Sequence, residues 1–352
     1  MPGLTLPPFP DNIPTAPLLI IDYSLIRQGH EGEINRMWKA ATELGFWYLK
    51  NHGTDAEVNR MFDVGAETAR LPLEEKMQYE QGDTGASFGY KAAGTIAVDE
   101  KGTRDTVEFF NVSQDDALAW PVPIHRTYFP TVNTRMESSI LPFVRKSIDI
   151  NFKLMSVLES KLGLPRGALT ARHSLQQRGG SEARCIRSQP RSDPLNETSA
   201  AIGAHTDFGS LTILHNRLGG LQVLMPGSEK WLYVKPLPGH AICNVGDTLT
   251  VFSAGILRSN LHRVVPPPGD QSCLERWSVV YFTRPAYNVP LKALTEESFL
   301  IAEAASKAPA GKYNTGETAG EWVSRRIKYH RLKNRTGPES WRANRGVEEM
   351  QS

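Results

Sequence analysis

Cysteine is scarce in this chain. There are three in 352 residues, Cys185, Cys243 and Cys273, and none stands in C-x-x-C spacing. Three thiols form no even framework, so a disulfide-stapled scaffold is excluded and a reducing cytosol is the expected compartment. No run of eighteen or more apolar residues occurs, which excludes a membrane-spanning helix. The opening MPGLTLPPFPDNIPTAP lacks a basic start followed by an apolar run. It reads as an extended, proline-rich lead-in and not as a secretory signal. Net charge is only +2, with 22% of residues charged, so there is no electrostatic footprint for DNA or RNA. Repeats of solenoid length are absent. The expectation is a soluble, cytoplasmic protein with neither nucleic acid nor membrane as partner.

What is present is enough for one large core with helical additions. Leu18 to Asp22 reads as a short buried strand, and Glu33 to Leu44 as a helix closed at Gly45. Phe46 to Leu49 is an aromatic strand, and a second helix is expected from about Asp55 to Arg70. Residues 81–104 carry many Gly and Thr and read as a loop, a candidate for mobility. Val107 to Val112 returns to strand, and 131–163 predicts one long helix or a broken pair. From Ala183 to Pro285, short runs (LTIL, LQVL, LYVKPL, AICNV, LTVF, RVV, WSVVYF) alternate with turn residues. That spacing indicates an all-β sandwich or barrel. The tail from Leu291 reads as helical and basic, with its last fifteen or so residues poorly ordered.

His205 and Asp207 stand one residue apart in GAHTDF. On a strand, residues i and i+2 share a face, so one strand can offer an imidazole and a carboxylate to one ion. A second imidazole must come from elsewhere, and His262 in LRSNLHRV follows after several strands. Two His and one carboxylate on one face leave adjacent positions open, which suits Fe(II) oxygen chemistry. The H-x-D triplet alone is a weak signal, because most histidines beside a Gly turn are ordinary polar loop residues.

Arg276 and Ser278 supply the second signal, in ERWSVVYF. Arg276, Ser278, Val280 and Phe282 share one strand face. A guanidinium grips a carboxylate through two parallel hydrogen bonds, and a neighbouring hydroxyl adds a third. An inward Arg on an apolar strand needs an anionic partner. Taken alone, an internal salt bridge is the simpler fate for it.

Together these residues resemble the isopenicillin N synthase-like group of 2-oxoglutarate/Fe(II)-dependent dioxygenases, in a fungal-type form. The likeness is carried by AHTDFGSLTILHNRLGGLQVL, NVGDTLTVFSAGILRSNLHRVV and RWSVVYF, with ELGFWYLKNHG near the N-terminus. EWVSRR and NRTGPESWRANRG in the tail are similar to fungal members. The resemblance implies a mainly β fold with flanking helices, built on a double-stranded β-helix, the jelly-roll or cupin-like core. It divides the chain into an N-terminal α/β region (1–120), helical support (121–182), the Fe(II)/2-oxoglutarate core (183–290) and a helical tail (291–352). It implies His205, Asp207 and His262 as iron ligands, and Arg276 and Ser278 on the far carboxylate of 2-oxoglutarate. O2 is the other co-substrate, and ascorbate is an expected stimulant. The reaction implied is hydroxylation, desaturation or ring rearrangement of a small organic molecule, as in secondary metabolism, with 2-oxoglutarate converted to succinate and CO2.

The chain departs from the family at Arg184-Cys-Ile-Arg-Ser-Gln-Pro190. Many relatives carry a motif ending Tyr-Pro there; Ser188 stands at the Tyr position and Ile186 at the Asn position. Ser188 is thus a third, shortened candidate for the co-substrate. Two alternatives follow: an Fe(II) oxidase of the same fold that does not use 2-oxoglutarate, and a catalytically inactive small-molecule-binding protein, against which the intact triad argues.

The substrate pocket is expected to draw on Phe109 and Asn111, which alternate on one strand face with Val107, and on Phe88 and Tyr90 from the Gly-rich loop. Phe208 and Phe282 complete its aromatic set. Arg284 lies beyond Phe282, about 26 Å from Arg276 at full extension, too far to share the co-substrate carboxylate. For the aromatics the competing expectation is ordinary core. Asn244 and Asp247 read as turn-shaping residues, His215 as a satisfied core histidine, His52 as a turn residue and Cys185 as a buried inert thiol.

Overall fold

The computed structural model describes residues 6–190 and 200–347. The first five residues of the lead-in and the last five of the tail lie outside the described residues. Among the described residues, twelve strands form the two core sheets: β1 (Leu19–Asp22), β2 (Phe46–Lys50), β3 (Gly89–Lys91), β4 (Val107–Ser113), β5 (Glu182–Ser188), β6 (Ile202–His205), β7 (Leu211–Asn216), β8 (Leu221–Leu224), β9 (Trp231–Tyr233), β10 (His240–Val245), β11 (His262–Val264) and β12 (Arg276–Thr283). A separate pair, Pro290–Lys292 with Asn314–Thr318, puts strand into the tail expected to be helical. The larger sheet runs β1-β2-β10-β7-β12-β5-β4-β3, and the smaller runs β6-β11-β8-β9. Strands from the first 120 residues therefore lie in the same sheet as strands of the core.

Alternation sorts the side chains into two layers. On the outer face of the large sheet, Phe110, Val112, Cys185, Val279 and Tyr281 pack with Met61 and Val64 of the helix Asp55–Ala69 and with Phe143 and Val144 of the helix Leu141–Lys161. On the inner face, Val107, Phe109, Ile186 and Val280 meet Leu221, Val223 and Val264 of the small sheet. This sheet-on-sheet interior is the jelly-roll core, and the site opens within it.

Local signals explain most element boundaries. The helix Glu31–Glu43 starts where the His30 side chain accepts from the Glu33 N–H at 3.2 Å. It ends because Gly45 takes φ +76°, from which its N–H donates to Ala40 at 2.8 Å. The region 131–163 is broken: a π-helical turn, Met136–Ile140, precedes Leu141–Lys161. Pro142 has no N–H with which to extend an α-helical ladder backwards.

Three expectations are corrected. LTVF is not a strand but part of the helix Asp247–Phe252. A short apolar run fits either state, and here the first N–H groups of the helix are taken by carbonyls of the 207–209 loop, Asp247 to Asp207 at 2.8 Å and Thr248 to Gly209 at 3.0 Å. Residues 81–104 are more than loop, since Gly89–Lys91 pairs with β4. The described part of the tail's end is well packed: Val347 is 1% exposed, and the Asn344 carbonyl accepts from Arg326 Nε at 3.0 Å. Among the described residues, no helix is long and apolar enough to cross a membrane.

Candidate active site

β6 and β11 pair antiparallel with His262 directly opposite His205, which brings the two rings to 4.3 Å between centroids. Asp207 lies just past the end of β6. Its Oδ1 is 3.9 Å from His205 Nε2 and 3.7 Å from His262 Nε2. One ligand atom from each of the three residues falls within 4.8 Å of the others, spacing that can hold a metal ion.

The surroundings aim these atoms. His205 Nδ1 donates to the Gly203 carbonyl at 2.8 Å, and His262 Nδ1 to the Asn260 carbonyl at 3.1 Å. Each Nε2 lone pair is thereby free to face the centre. Asp207 Oδ2 accepts from Thr212 Oγ1 at 2.6 Å and Asn244 Nδ2 at 2.7 Å, which leaves Oδ1 for a metal. Burial, with His262 alongside, pulls His205 far below the usual imidazole range and keeps it neutral, the form that can ligate a metal. Burial pushes the Asp207 carboxyl up, but the two imidazoles and the bonds from Asn244 and Thr212 outweigh it and hold the group below its ordinary value. Asn244, read from sequence as a turn residue, thus orients the carboxylate. Gly203 permits the approach of the 92–106 segment, since a Cβ there would collide with the Val98 carbonyl.

Arg276 is 3% exposed. Its Nε donates to the Gly219 carbonyl at 2.7 Å and its Nη1 to Ser278 Oγ at 2.8 Å. Among the described residues it has no carboxylate partner, and burial alone pulls it down to about 10. The internal salt bridge considered from sequence is not formed. A buried guanidinium facing a cavity without a counter-ion is a site for an anionic ligand. Ser188 is its cross-strand neighbour, yet does not line the cavity.

The cavity encloses about 130 Å³. His205, Asp207, His262, Arg276, Ser278, Phe109, Phe208, Phe282 and Arg284 all line it. Three residues expected there do not. Tyr90 pairs with Phe110, so it shares the outer face, where its hydroxyl donates to Glu108 at 2.5 Å. Phe88 packs against His125, with ring centroids 4.9 Å apart. Asn111 is fully buried behind the wall, accepting from Arg184 Nε at 2.7 Å. Arg284 is 5% exposed, so it does not point to solvent. His215 sits on the outer face beside His52 and Phe143. Burial holds His215 near 3. The Cys185 thiol is raised by burial alone.

Sequence reading missed two groups. Arg184, on β5, lines the cavity and is stacked on Phe109 at 4.2 Å and Phe282 at 4.7 Å. Its signal was available: strict alternation on the strand places it with Ile186 and Ser188. The helix Ala319–His330 closes one wall with Ile327 and His330. Arg326 from that helix stacks on Phe208 at 4.0 Å and ion-pairs with Asp247. Nothing local in the tail sequence points to that position.

Comparison with known proteins agrees with this geometry. Residues 182–285 match the 2OG-Fe(II) oxygenase superfamily, and residues 18–131 match the N-terminal region of non-haem dioxygenases in morphine synthesis. A 2-oxoglutarate-dependent dioxygenase of Aspergillus fumigatus is 30% identical over 360 aligned positions, covering 91% of this chain and 88% of that protein. A 1-aminocyclopropane-1-carboxylate oxidase of Dictyostelium discoideum is 28% identical over 77% of this chain and 82% of its own length. The crystal structure of a full-length Neurospora crassa protein in complex with alpha-KG and thymine superposes with a TM-score of 0.71 at 22% identity, covering 88% of this chain and 96% of that one. The chain belongs to the 2OG-Fe(II) oxygenase superfamily. It is an oxidoreductase that uses Fe(II) and 2-oxoglutarate.

Proposed function

We propose that His205, Asp207 and His262 hold the Fe(II), that Arg276 with Ser278 grips the far carboxylate of 2-oxoglutarate, and that the substrate lies between Phe109, Phe208 and Phe282. The observation that carries this reading is the pairing of a buried His/Asp/His cluster with a buried, carboxylate-free Arg276 in one cavity. Bound together, Fe(II) and 2-oxoglutarate supply the oxidising power for attack on a C–H bond, with succinate and CO2 as co-products.

The chain's own residues do the positioning. Thr212 and Asn244 fix which carboxylate oxygen of Asp207 faces inward. Gly219 and Ser278 hold the Arg276 fork in one plane, which favours a planar dicarboxylate end over a point anion. Ile186, Val280 and Leu221 keep the interior apolar, which strengthens each charged contact inside it. We place the enzyme in secondary metabolism in a reducing cytosol, supported by the fungal relatives and three unpaired cysteines.

The test is product analysis. Anaerobically iron-loaded protein is incubated with 2-oxoglutarate, O2 and a metabolite extract of the source organism. Succinate should form in step with an oxidised product. Oxygen uptake with ascorbate and no succinate would replace this reading with the oxidase one.

A further inference from the structure

Resting on that reading, the structure assigns a second anion site to the cavity. We infer that Arg184 binds a carboxylate, or an equivalent anionic group, on the substrate itself. The argument begins with how the cavity's charges are answered. Arg331 is met by Glu80 and Asp83, and Lys91 by Asp105. With Fe(II) and 2-oxoglutarate in place, the metal, Asp207, the dicarboxylate and Arg276 cancel. Arg184 and Arg284 remain, and they share one carboxylate, Glu182, through Oε1 at 2.7 Å and 3.0 Å. Within the group of Arg184, Arg284 and Glu182 one positive charge is left over beside a largely apolar lining, where an unanswered charge is costly.

The hydrogen bonds show which guanidinium is available. Arg284 is turned into the wall: Nη1 donates to the Gly180 carbonyl, Nη2 to Glu182, Nε is buried without a partner, and only 4% of its side chain is accessible. Arg184 donates through Nε to Asn111 at 2.7 Å and through Nη2 to Glu182 at 2.7 Å. Its Nη1 has no acceptor among the described residues, and 18% of its side chain is exposed where it lines the cavity. Glu182 Oε2 is taken by Ser87 Oγ at 2.5 Å, and the Asn111 amide by the Ser87 carbonyl at 2.5 Å, so the support cannot swing round to satisfy Nη1. The plane is fixed further by Phe109 and Phe282, whose rings also offer an apolar seat beside the charge. A guanidinium with a held plane and one free edge is built to receive a carboxylate. The substrate class is therefore a small acid with an apolar or aromatic body, seated by its anion on Arg184 and by its body on Phe109 and Phe282.

The test uses wild-type protein loaded with Fe(II) and 2-oxoglutarate under argon. Benzoate, phenylacetate, 3-phenylpropionate and 4-phenylbutyrate are titrated by calorimetry, each against its methyl ester. At least one acid should bind about tenfold or more tighter than its ester, as a charge-assisted pair requires. R184M should abolish that preference, R184K should retain part of it, and the 2-oxoglutarate affinity of both should stay within about twofold. The wild-type comparison stands even if R184M does not fold. The inference is overturned if no acid outbinds its ester, if the preference survives in R184M, or if R184M loses 2-oxoglutarate instead. Titration of 2-oxoglutarate alone reports separately on the co-substrate reading, so the two failures are distinguishable.

Discussion

Asn244 donates a 2.7 Å hydrogen bond to the Asp207 carboxylate from β10, a strand of the opposite sheet. The large sheet thus sets the orientation of a carboxylate that stands just past the end of a strand of the small one. Removing the partner of an oriented ligand typically costs a metal site 10–100-fold. Asn244→Ala should therefore lower Fe(II) affinity by roughly tenfold or more while the protein still binds iron. His205→Ala, Asp207→Ala and His262→Ala should each abolish turnover and most iron retention. Anaerobic iron titration distinguishes the two grades of effect. An Asp207→Ala protein that kept its iron and its rate would end the triad assignment.

Arg276→Lys keeps the charge but loses the planar fork that Gly219 and Ser278 hold. The 2-oxoglutarate requirement should rise at least about tenfold, or about 1.4 kcal/mol. Steady-state succinate production against 2-oxoglutarate concentration measures it. An unchanged KM would place the co-substrate elsewhere.

Phe109→Ala removes an apolar seat and one of the two rings stacked on Arg184. A loss on the order of 2–3 kcal/mol in substrate binding is expected for one buried ring. The substrate KM or the product distribution should change, with the 2-oxoglutarate KM intact. Unaltered kinetics and products from a normally folded variant would withdraw Phe109 from the pocket.

His173 gives a pH dependence away from the metal. Its ring is buried, with Nδ1 donating to the Leu169 carbonyl at 2.7 Å and Nε2 accepting from Ser210 Oγ at 2.7 Å. Burial pulls it down to about 4. The unfolded chain therefore binds the proton more readily than the folded one. Its contribution is fully present above about pH 6.5 and is lost progressively as pH falls towards 4, by up to about 3 kcal/mol. Urea unfolding of the metal-free protein between pH 7.5 and 4.5 should show this slope, and His173→Gln should flatten it. Equal slopes in the two proteins would show that His173 does not titrate on unfolding.

Much of the site was legible in the chain because strand geometry is regular. Alternation alone sets Arg276, Ser278, Val280 and Phe282 on one face, and the same rule would have found Arg184. The reach from Asp207 to His262 needed only enough strands between them for a sheet to fold back. Tertiary structure decided what alternation cannot. Pairing of Tyr90 with Phe110 turned it to the outer face, and LTVF became part of a helix whose first N–H groups, on Asp247 and Thr248, are claimed by the 207–209 loop. The helix Ala319–His330 came to wall the cavity with Ile327 and His330, anchored by Arg326, which is buried against Asp247, a contact between residues far apart in the chain. A local pattern carries the face on which a side chain stands. Only the folded chain decides which distant group meets it there, because that contact depends on how separate elements pack.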